Sequence, residues 1–427
     1  VPRRPRRVAL LTTPTSYRTA AFLSAAERAG LETLVFTDTP TPLAQQWHSP
    51  FAVDFSRPEE AADAICAVLA ERPVAAVLPV DDSGTLLAAL VATRLGLPQN
   101  DPEAALAARD KLIMRQRLHA GGLPIPSFTP YPAALDPATI ADQQPYPCVV
   151  KPTRLSGSRG VIRADTPADF VAAFQRLQRI LLADGVALDQ AVVLVETFVP
   201  GVEVALEGLL TDGQLHVLAL FDKPDPLDGP FFEETIYVTP SRLPPATQQA
   251  IAACTERAAR SLGLRTGPVH AELRVNEQGP WVIELAGRSI GGLCSTILEF
   301  GTGMTLEELI LRHAVGDPIT SLDRRPDAVG VMMIPIPRAG ILRRVEGIPE
   351  ACAVPGITGV EITAKRNAPL VPLPEGASYL GFIFARADTP DAVEAALREA
   401  HRRLRFHISP EIPLLVAPTP TGAARPV

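Results

Sequence analysis

The sequence predicts a multidomain protein that begins as an α/β fold and continues as α+β. Three observations predict this. Apolar strand-like runs alternate with helical patterns over the first hundred residues, as in a parallel sheet with right-handed crossovers. From residue 203 the pattern becomes strand, tight turn, strand, which is antiparallel. Beyond residue 330 comes a shorter mixed segment with one strongly charged helix.

In the first segment, RVALLTT (7–13), ETLVFTD (32–38) and VAAVLPVDD (74–82) read as buried strands, with helical periodicity at about 17–29, 58–71 and 83–95. The turn after the first strand, TTPTSYRT, lacks the dinucleotide glycines, which argues against a hydride-transferring Rossmann enzyme. One charged amphipathic helix is expected over EAALAARDKLIMRQRLHAGG (103–122), ended by Gly121 and Gly122. LPIPSFTPYP (123–132) opens a second unit. It contains the apolar run before Lys151, a Ser/Gly loop with Arg154 and Arg159, the helix 167–185 and the strand AVVLVETFV (191–199).

EVALEGLL (203–210), a TDGQ turn and LHVLALF (215–221) then form a hairpin. A helix at 245–262 leads to PVHAELRV (268–275), the turn NEQGP and WVIEL (281–285). The last segment holds GVMMIPIP, ILRRVEG, YLGFIFARA and the helix PDAVEAALREAHRRL, and only the tail after 410 is expected to be disordered. The expected units are 1–104, 105–195, 196–325 and 326–427.

Composition narrows the function. Of 427 residues, 47% are hydrophobic and 20% charged, as in ordinary globular enzymes. A net charge of −7 leaves no electrostatic footprint for nucleic acid. The apolar run in VPRRPRRVALL stops within a few residues, so it reads as a first strand; a signal peptide needs about 7–15. No stretch approaches the roughly 18 apolar residues of a membrane span, so no membrane partner is expected. The five cysteines are scattered and form no C-x-x-C, which suggests reduced thiols and a cytoplasmic protein.

Lysine usage says more. There are four lysines (Lys111, Lys151, Lys223, Lys365) against 36 arginines. A chain that takes its surface cations from arginine keeps lysine where a compact point charge is needed, as against phosphate oxygens.

The sharpest motif is the hairpin 269–285. If Val275 and Trp281 close its turn, Glu272 lies opposite Glu284. Period-2 alternation then puts His270, Glu272, Arg274, Glu284, Ala286 and Arg288 on one face, and Ala271, Leu273, Val275, Ile283 and Leu285 on the other. Opposed carboxylates repel unless a cation sits between them, and a hard metal ion bridging to phosphates answers that need. A solvated face balanced by Arg274 and Arg288 is the competing reading. In VKPTRLSGSRGV, the amides of Ser156, Gly157, Ser158 and Gly160 can close over phosphates beside Lys151; an ordinary surface hairpin is the alternative. ETFVPGVEV offers Glu196 and Glu203 around a Pro-Gly turn, as a nucleoside clamp or as solvated carboxylates.

The order of these pieces resembles the ATP-grasp superfamily, and within it the carboxylate–amine ligases, especially the bacilysin-type L-amino-acid ligases. A helix lysine is followed by Lys151 with its glycine loop, E-x-F-x-x-G-x-E, H-x-E and E-x-x-x-R. The resemblance implies an N-terminal βαβ domain, a small closing lid, an antiparallel central domain and a C-terminal α+β unit. It also implies ATP bound with magnesium, or manganese in its place. Lys111 and Lys151 are then expected on the phosphates, Glu196 and the backbone of Phe198 and Val199 at adenine, and Glu203 at the ribose. Glu272 and Glu284 are expected on the metal and Arg288 on the reacting groups, with Glu234 and His270 at the substrate.

One departure is Ala286, where the superfamily commonly has a metal-ligating asparagine. The implied partners are a small-molecule carboxylate and an amine, and a homodimer is compatible with this reading. The implied activity is ADP-forming ligation. Biotin-carboxylase-like or glycinamide-ribonucleotide-synthetase-like chemistry, or nucleotide binding without turnover, are the alternatives.

Overall fold

A computed structural model of the chain describes residues 6–47, 49 and 51–410. The tail expected to be disordered lies outside the described residues. The N-terminal sheet is parallel, in the order Ala52–Val53, Glu32–Asp38, Arg7–Thr12, Ala76–Pro79. Its strands are apolar on both faces because both faces are covered. Ala9, Leu11 and Val77 pack with Ile65, Leu69, Leu87 and Val91 of the helices Pro58–Glu71 and Thr85–Leu95. Val8, Leu10 and Leu78 face a core shared with Phe221, Leu309 and Phe382. This packing turns the carboxyl ends of two strands toward the rest of the chain, and ligands of open α/β sheets bind at such ends.

The helix expected over 103–122 is two helices, Pro102–Arg109 and Lys111–Ala120. Between them Asp110 is extended (φ −94°, ψ 113°), and its carboxylate accepts from the Leu112 and Ile113 N–H groups at 3.0 and 3.3 Å. Helical periodicity continues through Asp110, but its side chain competes for backbone donors and caps a new helix. Lys111 therefore sits in a first helical turn, and its N–H donates to the Thr153 carbonyl at 2.8 Å.

The lid is an antiparallel sheet in the order Phe128–Pro132, Val192–Thr197, Cys148–Pro152, Ile162–Ala164. Phe170, Phe174, Leu177 and Leu181 of the helix Pro167–Ala183 bury against Cys148, Val150, Val193 and Val195. The loop after Pro152 turns through left-handed Gly157, Ser158 and Gly160. A Cβ on Gly160 would lie 2.9 Å from Leu177 Cδ1, so glycine lets loop and helix pack closely.

An eight-stranded antiparallel sheet forms the body, in the order Gly279–Ala286, Gly267–Asn276, Val202–Thr211, Gln214–Lys223, Ile236–Thr239, Ala328–Ile334, Gly381–Ala387, Ile357–Ile362. On one face Val204, Leu206, Leu273 and Leu285 pack against the helices Pro245–Leu262 and Lys111–Ala120. The other face carries Ala205 and Leu209 into the core shared with the N-terminal strands. Hydrogen bonding is continuous across two of the divisions expected from sequence. Val192–Thr197 runs through 195/196, and strands beyond 326 extend the sheet that begins before it.

Candidate active site

A cavity of about 320 Å³ opens between the lid, the N-terminal strand ends and the polar face of the large sheet. Strand pairing builds its floor. Glu203 lies opposite Lys223 on one neighbour and Arg274 on the other, Ala205 opposite Glu272, and Glu207 opposite His270. Glu203 accepts from Lys223 Nζ at 2.9 Å and from Arg274 Nε at 3.0 Å. Lys223 also bonds to Glu234 and lies 3.5 Å from Glu272, so one buried ammonium touches three carboxylates. Burial alone would push Lys223 down, but Glu203, Glu234 and Glu272 hold it well above the usual lysine range. Burial likewise pushes the Glu272 carboxyl up, and Lys223 with His270 draws it far below the ordinary carboxylate range.

The hairpin turn is tighter than expected. Asn276 pairs with Gly279, leaving Glu277 and Gln278 as the turn, and Val275 faces Pro280 where Trp281 was expected. A bulge beyond Leu273 shifts the register by one residue and brings Glu272 back opposite Glu284. Ile283 is the extra residue. It lines the cavity while Val282 takes its place in the core, so the expected facing of Ile283 is corrected.

At the end expected to take phosphate, Lys111 donates to the Leu155 carbonyl at 2.9 Å and to Glu284 at 3.1 Å. Lys151 meets Glu196 at 2.7 Å, and Arg115, fully buried, donates to the same carboxylate at 2.6 Å. Burial raises the Glu196 carboxyl, but Arg115 and Lys151 bring it to about 2. Lys151 is lowered by burial and, despite Glu196, by the nearby Arg115 and Lys111, so an incoming anion would stabilise its charge.

Ser156, Gly157 and Ser158 line the cavity, but the Gly160 amide is committed to the Pro374 carbonyl at 2.9 Å. Its expected place on the phosphates is therefore corrected: close packing against the lid helix and the C-terminal segment uses that amide. At Phe198 the N–H donates to the Pro147 carbonyl, and the Val199 carbonyl accepts from Arg274. Among the described bonds, the Phe198 carbonyl and the Val199 N–H remain for an adenine edge. Glu196 also lines the cavity, though three cationic N–H contacts occupy most of its acceptor capacity.

At the far end, Arg288 Nη1 donates to the Ser289 carbonyl at 3.1 Å, and its Nε lies 3.7 Å from Asp82 of the N-terminal unit. Glu234 accepts from Tyr237 at 2.7 Å, and burial with the neighbouring Glu272 raises its carboxyl. His270 lies between Glu207 at 3.1 Å and Glu272 at 3.6 Å. Tyr17, Met333 and Tyr379 line the same end.

A hard divalent cation fits this donor set. Glu272 and Glu284 face each other on adjacent strands, both line the cavity, and both offer carboxylate oxygens. The side chains nevertheless group differently from the expected pair: Glu272 oxygens cluster with Glu203 and Glu234 within 4.8 Å, while Glu284 turns to Lys111. Ala286, opposite His270, adds no ligand.

Lys223 was not among the expected site residues, although the scarcity of lysine singles it out. Arg18, Asp82, Arg115 and Glu207 gave no local signal, because each is drawn in by contacts far along the chain.

Family models match three stretches: an ATP-grasp N-terminal domain at 23–99, an ATP-grasp domain at 144–297 and an L-amino acid ligase C-terminal domain 2 at 332–409. An uncharacterized protein of Sinorhizobium fredii is 26% identical over 75% of this chain and 65% of its own length. Alanine–anticapsin ligase of Bacillus subtilis is 26% identical over 51% of this chain and 49% of its own. The chain thus spans less than two thirds of these curated relatives. The crystal structure of an L-amino acid ligase from Bacillus licheniformis superposes with a TM-score of 0.79 at 25% identity, covering 95% of this chain and all of that one. Among the described residues no helix is long and apolar enough to cross a membrane. With the sheet order, the lid and the ordered motifs in place, these matches show that the chain belongs to the ATP-grasp family.

Proposed function

We propose that the protein is an ATP-dependent ligase that joins the carboxylate of an amino acid to an amine, releasing ADP and phosphate. One observation carries the reading: Lys111, Lys151, Glu272, Glu284 and Arg288 converge on one cavity between the lid and the N-terminal strand ends. The L-amino acid ligase likeness supports an amino acid as the acid. Scattered free thiols agree with a cytoplasmic setting.

A substrate carboxylate oxygen attacks the γ-phosphorus, the bond to the β–γ bridging oxygen breaks, and ADP leaves with the electron pair. The amine nitrogen then attacks the acyl phosphate carbon. The carbon–oxygen bond to phosphate breaks, phosphate leaves with that pair, and the nitrogen gives up its proton to the released phosphate. Lys111 and Lys151 neutralise phosphate charge, and Arg288 stabilises the oxyanion that develops at the carbonyl. Glu234 and His270 orient the substrate, while the Phe198–Val199 backbone and Glu203 hold the nucleoside. Magnesium, or manganese, held by Glu272 and Glu284 would supply further charge to the phosphate oxygens. The lid excludes water that would hydrolyse the acyl phosphate.

Phosphate and ADP release, measured over a panel of amino-acid pairs with the peptide product identified by mass, tests the reading. ADP, phosphate and a dipeptide are expected; AMP and pyrophosphate would sink it.

A further inference from the structure

We propose that Arg18, from the N-terminal unit, is a positioning residue that holds Arg288 in place across the boundary between units. The inference rests on the ligase reading for what Arg288 does, but its structural part does not.

The side chain of Arg18 is 4% exposed, at a site where an unpaired guanidinium would be costly. It donates to Ser289 Oγ at 2.6 Å, to the Ser289 carbonyl at 3.4 Å and to the Val80 carbonyl at 3.2 Å. Three features make this more than an adhesive contact. Ser289 directly follows Arg288, and its carbonyl is the acceptor that Arg288 Nη1 also uses. Val80 lies two residues before Asp82, whose carboxylate stands 3.7 Å from Arg288 Nε. From the strand Val202–Thr211, Glu207, fully buried, accepts the Ile290 N–H at 3.0 Å.

The tripeptide 288–290 is thus gripped from two units. Arg18 takes the middle residue and Glu207 the third, so the backbone that carries the Arg288 side chain is fixed at two points. The cation also balances Glu307, 3.6 Å away, whose carboxylate accepts from Ser295 Oγ. That ion pair is the part a purely adhesive role would need. The Ser289 grip is the part positioning needs.

The two roles separate by variant. Arg18→Gln should lower kcat by about 10²-fold, the scale of an ångström-sized misplacement of a reacting group. The Kd for ADP should stay within about threefold, since Arg18, though it lines the cavity, bonds to Val80 and Ser289 and to none of the residues proposed to hold the nucleoside. Glu307→Gln, which removes one charge of a buried pair but keeps a hydrogen-bonding side chain there, should lower Tm while leaving kcat within about twofold of wild type. In an Arg288→Gln background, Arg18→Gln should cost nothing further, because groups that act through one another are non-additive. Ser289→Ala keeps the guanidinium and serves if Arg18→Gln does not fold; it should show the same split at about fivefold.

A crystal structure of Arg18→Gln or Ser289→Ala reads the geometry whatever the reaction proves to be, and should show Arg288 displaced from Asp82. Arg288 unmoved in that structure, or losses from Arg18→Gln and Arg288→Gln that multiply in full, would overturn the inference. Wild-type protein that ligates no pair of substrates would overturn the ligase reading alone.

Discussion

Glu272 and Glu284 face each other across adjacent strands, yet each carboxylate is neutralised by a different lysine. Lys223 serves Glu272 at 3.5 Å and Lys111 serves Glu284 at 3.1 Å. Both lysines come from elements remote in sequence, so the opposed charges are tolerated before any metal or nucleotide binds.

From this arrangement the two carboxylates should act as a unit toward magnesium. Glu272→Gln and Glu284→Gln should each cost nearly as much activity as the double variant, since one carboxylate alone leaves a cation under-coordinated. Ala286→Asn should lower the magnesium needed for half-maximal rate. Titration of activity against magnesium for all four variants decides this, and undiminished rate in excess chelator would remove the metal from the reaction.

Lys223→Met should destabilise the protein by about 3–5 kcal/mol, because it strands one buried and two half-buried carboxylates without their shared cation. Urea denaturation at neutral pH measures the loss. A change below about 1 kcal/mol would mean that Lys223 is not the counter-ion the geometry indicates.

Glu196 makes stability depend on acid. Its carboxyl is held at about 2 against an ordinary value of 4.5, so its contribution is complete above pH 4.5 and fades as pH falls toward 2. The shift corresponds to something on the order of 3 kcal/mol. The stability gap between wild type and Glu196→Gln should therefore be widest near neutrality and narrow steadily below pH 4.5. A gap that stays constant between pH 7 and 3 would contradict the linkage.

Lys151→Ala and Arg288→Ala should separate binding from chemistry. On the proposed reading Lys151 would contact the nucleotide in the ground state, so its loss should raise the Kd for ATP. On the same reading Arg288 would act as charge develops, so its loss should lower kcat by about 10²–10³-fold with little change in that Kd. Equal damage to ATP binding from both would place Arg288 among the nucleotide contacts.

The lid is tied down from the C-terminal segment, where Glu375 pairs with Arg176 at 2.6 and 2.9 Å and its carbonyl accepts from Arg159 at 2.6 Å. Glu375→Ala should change stability by less than about 1 kcal/mol, since the ion pair is substantially exposed. It should still raise KM for ATP severalfold, because the Pro374 and Glu375 carbonyls that hold the glycine loop lose the side-chain anchor fixing them to the lid helix. An unchanged KM would show that the loop closes without this tether.

Local pattern was enough for the element types, for the parallel-then-antiparallel order and for most of the cavity's charged residues. Alternation of apolar and polar positions is a nearest-neighbour property, and a ladder of period 2 placed His270, Glu272, Arg274 and Glu284 on one face from spacing alone. Local pattern failed where one residue's energetics depended on partners outside its own element. Asp110 breaks a helix because its carboxylate wins two backbone donors. Ile283 changes face because a bulge compensates for a shorter turn, so the right pairing of Glu272 was reached through a wrong turn. The Gly160 amide goes to Pro374, more than two hundred residues away, and Arg18 reaches Ser289 over a longer separation still. Tertiary packing alone decided those partners, because a buried charge or amide takes whichever acceptor the folded chain brings within 3 Å, and separation along the sequence does not limit that choice.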